Sequence, residues 1–154
     1  MTEWLAARHY FEVWAVADLP PTKPFRVTCM GADYRPRLTL TGRQRCCWYH
    51  ARNWAAINKR AVRLVEEAHR LGASNAEQVR KFVDAQVGQP GGLFGGRAED
   101  HDALLTLFNA HRALLIGPSN NGFTNGQHRA QAMTDQRVKR TVVLRWTYPT
   151  DSEE

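Results

Sequence analysis

Long apolar runs are missing from this chain. A membrane-spanning helix needs roughly 18 or more consecutive apolar residues, and charged side chains interrupt every apolar run well before that. Glu3, Arg8 and Glu12 also break up the N-terminal stretch, so it lacks the apolar segment of a secretion signal. The expectation is a cytoplasmic protein without a membrane partner. Cysteine is scarce too. Cys29, Cys46 and Cys47 make three, a count that no pairing scheme uses up, and adjacent cysteines rarely bridge each other. Free thiols in a reducing compartment fit better than a disulfide framework. No internal repeat is visible, and no Gly-Lys-Ser/Thr follows a glycine-rich stretch, which excludes P-loop chemistry.

Acidic residues are nearly absent from one block. Between residues 31 and 60, Arg35, Arg37, Arg43, Arg45, Arg52, Lys59 and Arg60 face Asp33 alone. Their local excess of +6 equals the formal net charge of all 154 residues. Such a block is either a footprint for a polyanion or a solvated basic face. Arg43, Arg45 and Arg52 are interleaved with Trp48, Tyr49 and Trp54. Cations set among stacking rings suit nucleic acid; the opposing reading places Trp48 and Trp54 in the core. Candidate nucleic-acid-binding residues are Arg43, Arg45, Arg52, Lys59 and Arg60, joined by Arg137, Lys139 and Arg140.

Metal chemistry finds little footing. Cys46-Cys47-x-x-His50 lacks further well-spaced ligands for zinc. Asp100, His101 and Asp102, with His111 beyond them, straddle a helix start, where capping is the simpler role. No metal site is assigned.

At this length the chain reads as one domain, and its 43 % apolar residues are enough for a single core. Thr2 to Ala7 can form a helical turn. His9 to Val16 is rich in aromatic and branched residues and predicts a strand. The prolines at 20, 21 and 24 make 18–24 a loop. Phe25 to Met30 and Arg37 to Thr41 are further strand candidates, which would give the N-terminal third a small antiparallel sheet. From Trp48 to about Leu71 the spacing turns helical, with an apolar stripe at Trp54, Ile57, Ala61, Leu64, Val65, Ala68 and Leu71 and a terminator at Gly72. A second helix spans 76–87, capped by Ser74 or Asn75, with Val79, Phe82, Val83 and Val87 as its apolar face. Residues 88–97 are glycine-rich and read as a flexible surface loop or, more sharply, as a lid. A third helix runs from Glu99 or Asp100 to about Arg112, with Leu104, Leu105, Leu107, Phe108 and Ala110 inward. The architecture expected is α+β, a small mixed sheet with a helical insert at about 48–100.

The most informative stretch comes last. A hairpin, 113–117 with 122–125, delivers the chain into Asn125-Gly126-Gln127-His128-Arg129, which opens a helix to about Arg137, followed by a strand from Thr141 to Thr147. Gly126 permits a positive φ or close backbone approach. The first amides of a helix lack intrahelical partners and, with the helix dipole, attract anions. Arg129 can grip a phosphate in bidentate fashion, and His128 can donate, act as acid or base near neutral pH, or bind metal. Asn125 and Gln127 add neutral hydrogen bonds. A plain alternative stands beside this one: Asn125 caps the helix, Gly126 eases the turn, His128 is structural, and Arg129 pairs with Asp102 or Asp135.

The run Ala113-Leu-Leu-Ile-Gly-Pro-Ser-Asn-Asn-Gly-Phe-Thr-Asn-Gly-Gln-His-Arg-Ala-Gln-Ala132 resembles the signature of the ParB/sulfiredoxin superfamily, in particular its Asp-Gly-Gln-His-Arg subgroup. The likeness covers about residues 101–147, a third of the chain. It implies a ParB/sulfiredoxin-like fold with nucleotide phosphates held at the helix start by Asn125, Gly126, Gln127, His128 and Arg129. The ligand implied is a nucleoside triphosphate, CTP or ATP, with magnesium. The implied setting is an accessory or regulatory protein of a prophage or plasmid type element, associated with DNA rather than RNA, in which a homodimer fits. No cysteine stands in the motif, which speaks against sulfiredoxin chemistry. Asn125 replaces the subgroup's Asp, so an activity needing that carboxylate would be lost. Alternatives left open are a nucleotide-dependent nuclease, hydrolase or kinase with His128 as its catalytic group, and a protein-binding inhibitor module with a vestigial site.

Overall fold

In the computed structural model of the protein, the described residues are 8–21, 48–87, 98–117 and 123–147. They form an α+β arrangement. A four-stranded mixed sheet has the order β1-β4-β2-β3, with β1 Arg8–Ala15, β2 Leu115–Ile116, β3 Phe123–Asn125 and β4 Arg140–Thr147. Four helices accompany it: α1 Trp54–Arg70, α2 Ala76–Val87, α3 Ala98–Thr106 and α4 Gln127–Asp135. β1 lies antiparallel to β4 from Arg8↔Thr147 to Ala15↔Arg140. β2 lies parallel to β4 and antiparallel to β3. The hairpin, the helix and the last strand thus form one parallel crossover, and the expected order of elements in this part of the chain is observed.

β4 is the central strand, and the sequence explains why it can be. Successive side chains of a strand point to opposite faces, and Thr141, Val142, Val143 and Leu144 are all buried. Only a strand covered on both faces accommodates such a run. α1 supplies much of that cover, through Trp54, Ile57, Ala61, Leu64, Val65 and Ala68 of the expected stripe, together with Val62. These residues, with Phe11 of β1, Val79, Val83 and Val87 of α2, and Leu104 of α3, belong to one hydrophobic cluster. α1 therefore sits in the middle of the core.

Several boundaries differ from those the periodicity predicts. α1 begins at Trp54, not near Trp48, because Asn53 caps it: its side-chain oxygen accepts from Ala56 N at 3.2 Å. Residues 48–52 are a turn instead, closed by Arg52 N donating to Tyr49 O. Leu71 leaves the stripe and is 61 % exposed, since Gly72 takes φ +97° and turns the chain away. α2 matches 76–87, with Asn75 as its cap, accepting from Gln78 N at 2.9 Å. α3 stops at Thr106, six residues early. Leu107 and Phe108 donate to carbonyls three residues back, tightening the turn, and the Asn109 side chain then accepts from His111 N at 2.8 Å. Ala110 consequently faces solvent. The helical turn at 2–7, the strands at 25–30 and 37–41, and the glycine-rich stretch 88–97 lie outside the described residues. Among those described, no helix is long and apolar enough to cross a membrane.

Candidate phosphate-binding site

The motif residues gather where β3 becomes α4. Gly126 is the N-cap, in the left-handed region at φ +96°. A Cβ there would stand 2.4 Å from Leu114 Cδ2 and 3.0 Å from the Leu114 backbone. Glycine is needed twice over, for its dihedral and for the close passage of two chain segments. The turn is held by Ala130 N donating to Gly126 O. The Asn125 backbone ends β3, and the N-cap position is Gly126. Gly126 and Gln127 are partly exposed, whereas His128 and Arg129 are buried.

Arg129 is the unusual member. Its guanidinium donates to Thr106 Oγ1 at 3.1 Å, and the Thr106 hydroxyl in turn donates to Ala103 O at 2.6 Å. Neither Asp102 nor Asp135 is its partner, and no ion pair among the described residues includes it. Burial pulls its pKa down to about 10, Arg112 pulls the same way, and Tyr49 opposes them. One pH unit corresponds to about 1.4 kcal/mol, so holding this charge costs on the order of 3 kcal/mol. A cation buried beside a second cation and lacking a carboxylate partner among the described residues is what an anion would stabilise.

The wall around it comes from a segment distant in sequence. Tyr49 lies against His128, ring centres 4.4 Å apart, and His50 meets the same imidazole at 5.8 Å in an edge arrangement. His50 is fully buried and its Nε2 lies 2.7 Å from Asp135 Oδ2. A carboxylate only accepts hydrogen bonds, so Nε2 carries the proton. Asp135 also accepts from Gln131 at 2.8 Å. Gln136 clasps the two segments together. Its amide nitrogen donates to His50 O and Arg52 O at 3.1 and 2.7 Å, and its oxygen accepts from Trp54 N at 3.0 Å. The 48–53 turn is thereby fixed across the end of α4.

The other expected residues divide by place. Arg52, assigned to nucleic acid, points inward: it lies over the Trp48 ring and 3.8 and 3.9 Å from Asp100 and Glu99. Asp100 also accepts from Asn53 N at 3.1 Å, tying α3 to the start of α1. Trp54 is core, as one reading had it, while Trp48 is 39 % exposed. Lys59, Arg137, Lys139 and Arg140 come together along one groove, and Arg60 does not line it. Arg43 and Arg45 lie outside the described residues. Thr106 and Gln136 were not anticipated, nor was Tyr49 as a neighbour of His128. One local sign was present: a Tyr-His pair stands just before a helix cap. Among the described residues no three His, Cys, Asp or Glu side chains come together as a metal site.

Comparison with known proteins adds no family: no family model matches the chain, and neither a curated protein nor a solved structure matches it.

Proposed function

We propose that the start of α4 binds the phosphates of a nucleotide, and that the protein is a ParB-like, nucleic-acid-associated accessory or regulatory protein of a prophage or plasmid type element. One observation carries the phosphate reading: Arg129 is a buried guanidinium without a carboxylate partner among the described residues, set in the first turn of a helix behind a left-handed glycine. Helix-start amides and a desolvated cation both favour an anion there. The ParB-like part rests on the resemblance of residues 113–132. With no carboxylate cluster assembled among the described residues, a magnesium ion would arrive with the nucleoside triphosphate as its phosphate complex.

The test uses Arg129→Met, which keeps the stem and removes the charge. Thermal unfolding is followed with and without magnesium CTP, magnesium ATP and inorganic phosphate. In the wild type, a ligand at 100 times its Kd stabilises by about 2.7 kcal/mol. The variant should lose that gain while its ligand-free melting temperature holds or rises, because a costly buried charge is gone. A large ligand-free drop together with an intact ligand response would show Arg129 to be purely structural.

A second reading, a nucleotide-dependent enzyme, is favoured by the Asp135–His50 pair beside His128. An oriented imidazole next to a phosphate site suits proton transfer. Turnover of a nucleoside triphosphate that vanishes in His128→Ala would support it; absence of turnover with every nucleotide and divalent cation tried would sink it.

A further inference from the structure

A groove of about 440 Å³ runs between α1 and the turn joining α4 to β4. Lys59 and Arg63 project from the helix, and Arg137, Lys139 and Arg140 from the turn. Glu66 meets Arg140 at 3.7 Å. The other four cations form no ion pair among the described residues. Two further observations set the groove apart from an ordinary solvated basic face. Asn58, also lining it, is 2 % exposed, and its amide nitrogen donates to Trp54 O at 2.8 Å. That bond fixes the amide's orientation and leaves Oδ1 buried with no donor among the described residues. Arg137 holds φ +58°, a conformation that favours glycine, in the position that closes α4.

We infer that this groove binds one strand of nucleic acid, with phosphates on Lys59, Arg63, Arg137 and Lys139 and a sugar hydroxyl or base N–H donating to Asn58 Oδ1. The class of ligand follows from what each group lacks. Four exposed cations with no ion pair among the described residues attract a polyanion. Asn58 Oδ1 needs a hydrogen-bond donor, which phosphate and carboxylate are not. A nucleotide unit offers both within one repeat. A lipid surface is flat, and membrane-surface binding also draws on large apolar side chains beside the cations, whereas this groove is concave and its apolar lining residues are only Ala55, Val62 and Val138. The inference rests on the nucleic-acid association proposed above, but on none of the residues at the start of α4.

The test is fluorescence anisotropy with labelled single strands of about 15 nucleotides, DNA and RNA of the same sequence, across a salt series. The expected result is log Kd rising linearly with log salt, and at least about a tenfold weakening in an Arg63→Ala, Lys139→Ala double variant. RNA binding more tightly than DNA identifies the 2′-hydroxyl as the donor to Asn58, and equal binding identifies the base. Arg137→Gly is the decisive variant. It should melt at a higher temperature and yet bind several-fold more weakly, which a merely structural arginine would not do. Arg129→Met should leave strand binding unchanged, so the groove and the phosphate site fail independently. The inference is overturned if the double variant and Arg137→Gly bind like the wild type. It is likewise overturned if phosphatidylserine vesicles or polyglutamate compete as well as unlabelled oligonucleotide, or if Arg129→Met alone abolishes binding.

Discussion

The two ends of α4 pose the same backbone problem and solve it differently. At its start, Gly126 stands at φ +96°; just past its end, Arg137 stands at φ +58°. The first position has no choice, because Leu114 occupies the space a Cβ would need. The second is a helix-closing turn in which Arg137 N donates to Thr134 O and Val138 N to Met133 O. Glycine is the usual residue there, and a side chain in this conformation costs about 1 kcal/mol or more. The start of the helix is therefore shaped by packing, while the end keeps a strained cation on a charged groove. Backbone strain that the local fold does not demand points to a role for the side chain.

Gly126→Ala attacks the packed end and has the largest expected effect. The left-handed cost of about 1–2 kcal/mol adds to an overpacking cost of about 1–3 kcal/mol, and denaturant unfolding should show a loss near about 3 kcal/mol. A loss below about 1 kcal/mol would mean that β2 and α4 can separate cheaply, and the contrast between the two ends would fall. Asp135→Ala comes next. It leaves the His50 Nε2 proton, buried 2.7 Å from the lost oxygen, without its acceptor. The expected cost is about 2 kcal/mol. Asp135→Asn, whose amide oxygen still accepts, should cost less; equal losses would show that the charge, not the hydrogen bond, matters there. Arg137→Gly acts on the strained end in the opposite direction, stabilising by about 0.5–1 kcal/mol, which shifts the melting temperature of a domain this size by roughly 2–4 °C. A destabilised glycine variant would remove the argument from strain.

The smallest effect concerns pH and serves as a control away from both ends. Burial, with Arg80 nearby, holds the His9 imidazole below its ordinary range. The folded state thus binds a proton less readily than the unfolded chain. Stability present at neutral pH is lost as pH falls through the ordinary imidazole range towards the lowered folded value. Melting curves of His9→Gln should show a slightly flatter loss between neutral and mildly acidic pH. An unchanged slope would assign the acid sensitivity to other groups.

How much of this was legible depended on the range of the interaction involved. The sequence order of Leu115–Ile116, Phe123–Asn125, α4 and β4 could be read because its signals are local: turn residues, one glycine and an apolar run. The α1 stripe could be read for the same reason, apart from its ends, where the Asn53 cap and Gly72 outweighed periodicity. Arg52 could not be placed, since nothing local shows that Asp100 and Glu99 would meet it. Arg63 and Asn58 were hidden in the helix pattern, one as an ordinary exposed charge and the other as an ordinary polar residue.

Local chemistry was enough to mark Gly126 to Arg129 as a helix start suited to an anion, since spacing, glycine and charge act within one turn. Folding determined the rest. It buried Arg129 against Thr106 without a carboxylate among the described residues, brought Tyr49 and His50 onto His128, and set Lys59 and Arg63 opposite Arg137 and Lys139. Those pairings join residues at least 23 positions apart. Desolvation and charge proximity depend on distance in space, which no local pattern encodes.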